Sequence, residues 1–112
     1  MLKLWGRVNS VNVKKARWCL DELGLPYERI DAGLNFGVVK TPEYLKMNPN
    51  GLVPTLDDDG FILWESHSIV RYLAARHGKG VLWPMDERER ALANQWMDWA
   101  FTFQGGVRDA FW

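Results

Sequence analysis

The chain has 112 residues, 47% of them hydrophobic, and its 14 Lys+Arg balance 14 Asp+Glu for a formal net charge of +0. This length builds one domain with a core and is too short for two comfortable ones; balanced charge without a basic run excludes the electrostatic footprint of a nucleic-acid binder. Cys19 is the only cysteine, which excludes an internal disulfide and a CxxC pair, and His67 and His77 stand apart with no partner motif, so no metal site is expected.

MLKLWGRVNS carries too short an apolar run for a signal peptide, and no segment approaches the roughly 18 apolar residues of a membrane span; a cytoplasmic protein with no membrane partner is expected. Leu2 to Trp5 alternates and meets Gly6, the pattern of a short strand. The polar stretch Arg7 to Asn12 connects it to a helix over Val13 to Leu23, where Val13, Ala16, Leu20 and Leu23 share one face and Gly24 and Pro26 stop the run. Cys19, at the edge of that face in mid-helix, reads as a packing residue. A reactive thiol wants an electropositive, accessible position.

Tyr27 to Asp31 predicts a second strand, which a right-handed crossover makes parallel to the first. After a glycine-containing loop, Ala32 to Lys40, Thr41-Pro42-Glu43 opens a short helix that Asn48-Pro49-Asn50-Gly51 ends. Leu52 to Leu56 and Phe61 to Trp64 flank Asp57-Asp58-Asp59-Gly60, a hairpin signal. The three acids lack the remaining positions of a calcium loop and read as a solvated turn. Pro54 cannot donate to a strand ladder; the sequence leaves its peptide bond open between cis and trans. Ser66 is predicted to cap a further helix, with Ile69, Val70 and Leu73 buried and Gly78 as its stop.

The order βαβ, short α, ββ, α specifies an α/β fold with a four-stranded mixed sheet of thioredoxin type over residues 1–78. Residues 79–85 form a linker, and Asp86 with Glu89 starts a new helix in a segment 86–112. There Leu92, Trp96, Trp99 and Phe103 line one side while Met97 and Phe101 lie on the other. A helix apolar on both sides should be buried. Little sequence follows Gly105-Gly106 to cover it, so either the chain is a piece of a longer protein or another subunit supplies the cover.

Three segments, KLWGRVNSVNVKKARWCLDELGLPYE, TPEYLKMNPNGLVPTL and the WES-SIVRYLA run interrupted by His67, give the chain a resemblance to the N-terminal half of cytosolic glutathione transferases, in particular bacterial members similar to the serine-using classes. Coverage is nearly continuous from Leu2 to about Gly78, and segment 86–112 looks like the truncated start of the family's all-helical second domain. The resemblance implies glutathione as co-substrate, without a further cofactor, along the edge from Asn50 to Ser68. The γ-glutamyl carboxylate would meet the helix start at Ser66, Glu65 would accept the ligand's ammonium group, and the Val53 backbone before Pro54 would pair with the cysteinyl unit. Lys40 or Asn50 would meet the glycyl carboxylate. Family members hold the thiolate with a Tyr, Ser or Cys in the loop after the first strand; Arg7 to Asn12 offers Ser10, with the Asn12 amide as the alternative and a simple helix cap as the plain role of Ser10.

Two functions follow from the resemblance: conjugation of glutathione to a small electrophile, or a truncated, non-catalytic module that binds glutathione or dimerises. Thioredoxin-like disulfide exchange is disfavoured because the loop before the first helix has no cysteine. Homodimerisation is usual in the family, and the C-terminal aromatic helix gives a local reason to expect it.

Overall fold

A computed structural model describes the backbone of residues 1–111 and the side chains of residues 1–106. Trp112 and the side chains of 107–111, at the end of the segment predicted for 86–112, lie outside the described residues. The elements are β1 (Leu2–Trp5), α1 (Val11–Glu22), β2 (Tyr27–Ile30), α2 (Pro42–Met47), β3 (Thr55–Asp58), β4 (Phe61–Trp64), α3 (Ser66–His77) and α4 (Glu87–Phe111), with a 3-10 turn at Leu34–Phe36. One four-stranded sheet has the order β2-β1-β3-β4, with β1 parallel to β2 and antiparallel to β3. This is the thioredoxin-like mixed sheet expected from the order of elements.

Period-2 alternation sends Leu2 and Leu4 of β1 to one face, where Leu4 lies opposite Leu56 of β3. Val13, Ala16 and Leu20 of α1 and Ile69 and Leu73 of α3 are fully buried against that face. Gly6 ends β1 where the chain passes under α1: a Cβ there would meet Val13 Cγ2 at 2.3 Å, so a side chain would force the buried Val13 to shift.

The opposite face meets α2. Trp5 packs edge-on against Tyr44, with centroids 6.0 Å apart. The Tyr44 hydroxyl donates to the Leu52 carbonyl at 2.6 Å and shares a 2.7 Å bond with Thr55 Oγ1, while Asn48 Nδ2 donates to the same carbonyl at 3.0 Å and to Thr55 Oγ1 at 3.2 Å. Tyr44's one proton goes to Leu52, so Thr55 donates to the phenol oxygen and accepts from Asn48; each buried proton has a taker. This network ties the loop between α2 and β3 to the sheet.

Several boundaries differ from expectation. Helix α1 starts at Val11 rather than Val13, with Ser10 at its cap, so Asn12 lies in the first helical turn and not in the preceding loop. Strand β3 starts at Thr55 rather than Leu52, and Asp57 and Asp58 pair with Ile62 and Phe61. The hairpin turn is therefore Asp59-Gly60 alone, with φ of 49° and 95°, the positive values that a two-residue turn of the right twist needs. The Val53-Pro54 peptide is cis.

Glu65, not Ser66, occupies the cap position of α3 and makes no side-chain cap bond; Ser66 is the first helical residue and is buried. The expected caps elsewhere are present: Thr41 accepts from the Tyr44 N–H at 3.3 Å, and Asp86 from the Glu89 N–H at 3.1 Å. Helix α4 runs through Gly105-Gly106, although each glycine costs about 1 kcal/mol in a helix interior. As expected of a helix whose cover this sequence does not supply, Leu92, Trp96, Trp99 and Phe103 are all more than half exposed, while among the described residues the side bearing Met97 and Phe101 meets the rest of the chain.

Tyr44→Phe removes the proton that Leu52 receives and the acceptor that Thr55 uses. It should lower the unfolding free energy by about 1–3 kcal/mol in urea denaturation at unchanged slope. An unchanged midpoint would mean that the loop is held by its other contacts.

Candidate functional site

Packing α1 and α3 on the same sheet face brings their N-termini to one edge. A cavity of about 410 Å³ there is lined by Arg7, Ser10, Asn12, Gly33, Leu34, Val39, Lys40, Gly51, Leu52 and Val53. A smaller one of about 70 Å³ is lined by Asn12, Asn48, Asn50, Leu52, Val53, Pro54, Trp64, Glu65 and Ser66. The two share Asn12, Leu52 and Val53 in their walls and so lie side by side, the two parts of one cleft region. Every residue singled out from the sequence, namely Ser10, Asn12, Lys40, Asn50, Val53, Pro54, Glu65 and Ser66, lines it.

The cleft is polarised. Its larger part carries Arg7 and Lys40 and no acidic side chain, whereas the smaller part carries Glu65. Gly51, at φ 62°, allows the close packing of Lys40, whose Nζ would stand 3.0 Å from a Cβ at that position.

At the α1 end, Ser10 is buried and its hydroxyl oxygen accepts from the Val13 N–H at a long 3.4 Å. The cap uses one lone pair and no proton, so capping and donating to a ligand are compatible. Asn12 Oδ1 accepts from Lys15 Nζ and from Gln104 Nε2, each at 3.2 Å.

At the α3 end, Glu65 has φ 77° and ψ 117°, a left-handed backbone that costs a non-glycine residue about 1–3 kcal/mol. The first backbone bond of the helix runs from the Ile69 N–H to the Glu65 carbonyl at 2.9 Å. The N–H groups of Ser66, His67 and Ser68 precede it, and with no side-chain cap they are free for an anion at the positive end of the helix.

Two residues of this region carried no functional signal in the sequence reading. Arg7 itself had no role assigned within the stretch that offers Ser10 and Asn12, yet it lines the cleft and its Nε is buried without a hydrogen-bond partner. His67 interrupts the matched motif, is buried, and stacks on Phe101 of α4 with centroids 4.0 Å apart. Its Nε2 lies 3.1 Å from Lys15 Nζ. Lysine only donates, so Nε2 is the acceptor and the imidazole is neutral. Burial first, then the Lys15 and Arg71 charges, lower its pKa from 6.5 to about 4 against a small opposing effect of Asp98. Burial likewise lowers the Lys15 pKa and raises that of Cys19.

Among the described residues, no group of three or more His, Cys, Asp or Glu side chains is placed to hold a metal ion, and no helix is long and apolar enough to cross a membrane.

The fold and the cleft define a thioredoxin-like domain with a peptide-sized, polarised edge. Residues 1–75 match the family model for the glutathione S-transferase N-terminal domain. Glutathione S-transferase GstB of Escherichia coli K12 is 57% identical over 102 residues, covering 89% of this chain and 49% of that protein. A glutathione S-transferase-like protein, gedE, of Aspergillus terreus is 38% identical over 108 residues, covering 93% of this chain and 46% of its own. The structure of a theta class glutathione S-transferase from Xanthomonas axonopodis pv. citri with glutathione bound superposes at a TM-score of 0.94 with 52% identity, covering 99% of this chain and 54% of that one. The chain belongs to the glutathione S-transferase family. It spans about half the length of each of these relatives.

Between pH 6.5 and 4 an unfolded histidine binds a proton that folded His67 does not, so stability should fall as pH drops through that window and lose nothing more on this account below it. Arg71, Lys15 and Asp98 are the charged groups facing the ring. Comparing urea midpoints at pH 7 and pH 5 should show a smaller acid loss in His67→Gln than in the unaltered chain. Equal losses would assign the acid sensitivity to other groups.

Proposed function

We propose that the cleft binds glutathione and activates its thiol for conjugation to a small electrophile. The observation that carries this reading is the adjacency of two cavities that share Asn12, Leu52 and Val53, one at the uncapped, strained start of α3 and the other at Ser10 at the start of α1. The γ-glutamyl carboxylate meets the free N–H groups at Ser66, and its ammonium meets Glu65. The cysteinyl unit lies beside the Val53 backbone, ahead of Pro54, as an added strand would. Lys40, with Asn50 as the alternative, faces the glycyl carboxylate. The sulfur then falls near Ser10 and Asn12, whose donors, with the N-terminus of α1, favour thiolate over thiol and lower a pKa of about 8.5 toward neutrality.

Backbone strain at Glu65 supports a ligand role, since a helix start needing only a cap would not hold a glutamate at φ 77° with its carboxylate unused for capping. Glutathione itself carries two carboxylates, an ammonium and a thiol, and the charge order of Lys40, Arg7 and Glu65 along the cleft complements it.

In this reading residues 1–78 are the glutathione-binding domain, 79–85 a linker and 86–112 the start of a helical domain, in a cytoplasmic protein acting in detoxification. A second reading, a glutathione-binding or dimerising module without turnover, is favoured by one observation. The apolar groove of about 520 Å³ between α1, α3 and α4, lined by Trp18, Val70, Leu82, Trp96 and Met97, has exposed walls that would leave an electrophile open to solvent.

Calorimetric titration with glutathione should show binding, and Ser10→Ala should raise the thiol pKa of bound glutathione in a spectrophotometric titration. An unchanged value would move that role to Asn12 or the helix end. Binding without conjugation in a thiol-transfer assay on the same sample selects the module, and no binding at millimolar glutathione sinks both readings.

The exposed ladder of Trp96, Trp99 and Phe103, with Trp99 stacked on Phe103 at 5.3 Å, gives the reason to propose a homodimer formed through α4. Light scattering on a size-exclusion column should report twice the mass of 13.0 kDa, and Trp99→Glu should return it to the single-chain value. A monomer for the unaltered chain would refute the association.

A further inference from the structure

We propose that Lys15 is a positioning residue for the thiol end of the cleft, locking the Asn12 carboxamide so that its NH2 group, and not its oxygen, is offered to the sulfur of glutathione. This rests on the glutathione reading of the cleft and adds to it a network that crosses from the sheet domain to α4.

The geometry fixes the amide by elimination. Lys15 Nζ lies 3.2 Å from one atom of the Asn12 carboxamide, 2.8 Å from one atom of the Gln104 carboxamide and 3.1 Å from His67 Nε2. An ammonium has three protons and no lone pair, so all three partners must be acceptors. The near atoms of both amides are therefore oxygens. Gln104 then turns its NH2 toward Asn12 and donates to the same Oδ1 at 3.2 Å. With its oxygen held by two donors, Asn12 has its two N–H groups left for the other side, and Asn12 lines both parts of the cleft.

The alternative rotamer places the Asn12 NH2 against an ammonium and the Gln104 NH2, donors facing donors, while aiming a carbonyl oxygen at a thiolate. Both changes are repulsive, so the network selects one orientation in the free protein and the reaction needs no reorganisation there.

Lys15 is itself held. His67 accepts one proton, Phe101 of α4 lies under the ammonium at 5.3 Å to the ring centroid, and the residue is half-buried between α1, α3 and α4. Lys15, Asn12, His67 and Gln104 come from α1, α3 and α4, and Gln104 is 92 residues from Asn12 in sequence. The helical segment thereby reaches the thiol end of the site without contacting the ligand.

The test is the thiol pKa of glutathione bound to the full chain, read by ultraviolet titration beside calorimetric binding on the same samples. Lys15→Met should leave glutathione bound and raise the bound thiol pKa by about one unit. Lys15→Arg, which keeps the donors, should restore most of that shift. In an Asn12→Ala background Lys15→Met should add nothing. Should Lys15→Met fail to fold, Gln104→Met removes the second donor to Asn12 from a half-exposed position and should raise the pKa in the same direction.

Retained binding with an unchanged pKa overturns the positioning role alone. A full shift persisting in the Asn12→Ala background also overturns it, because Lys15 would then act by its charge and not through Asn12. Absence of glutathione binding by the unaltered chain defeats the reading of the cleft and this inference together.

Discussion

The constraint on which the rest depends is the side-by-side packing of α1 and α3 on one face of the sheet. Leu4 and Leu56 from the sheet, Val13, Ala16 and Leu20 from α1, and Ile69 and Leu73 from α3 are buried without measurable exposure. Burying each of the Val, Leu and Ile side chains is worth about 1.5–3 kcal/mol before entropy is counted. The same packing aligns the two helix starts at one edge, where Ser10, Asn12 and Ser66 meet the loop carrying Val53. A polar site is therefore set by apolar contacts some distance from it, and the loop completing it is held from the other sheet face by Tyr44, Asn48 and Thr55.

Much of this was legible in the sequence because it depends on periodicity and on local cap chemistry. The buried face of α1 follows from the spacing of Val13, Ala16 and Leu20, and the start of α2 from Thr41-Pro42. The errors have a common cause. Ser66 is a favoured cap residue, but the cap position fell to Glu65, whose backbone takes φ 77° where β4 passes into α3, a conformation that no local propensity encodes. Asp57 and Asp58 looked like turn residues and became strand residues because pairing with Ile62 and Phe61 outweighed their preference.

The candidate site divides along the same line. Residues on the cleft wall were recoverable from family motifs carried in short stretches of chain. Arg7 was missed because a lone arginine after a strand looks like any solvated charge, and its significance lies in the buried Nε and its place beside Ser10. His67, Lys15 and Gln104 were missed because their meaning is relational: they touch across 52 and 89 residues, and nothing in any one segment marks them. Helix α4 is apolar on both sides, and within this chain the structure divides them. Phe101 and Gln104 dock onto α1 and α3, while Trp96, Trp99 and Phe103 face solvent.

Ser10 and Asn12, alternatives on sequence grounds, are not exclusive in the structure. The Ser10 oxygen receives the Val13 N–H, and the Asn12 oxygen receives Lys15 and Gln104. In each case a neighbouring donor occupies the acceptor and leaves a proton-bearing group for the cleft. The first turn of α1 adds backbone N–H groups of the same polarity. On the proposed reading, a thiolate there would meet side-chain donors and a helix terminus of one sign, with Arg7 in the same cavity wall and no acidic group in the larger part of the cleft. No single one of these needs to be strong: each raises the preference for sulfur anion over thiol, and their shared sign makes the contributions reinforce one another.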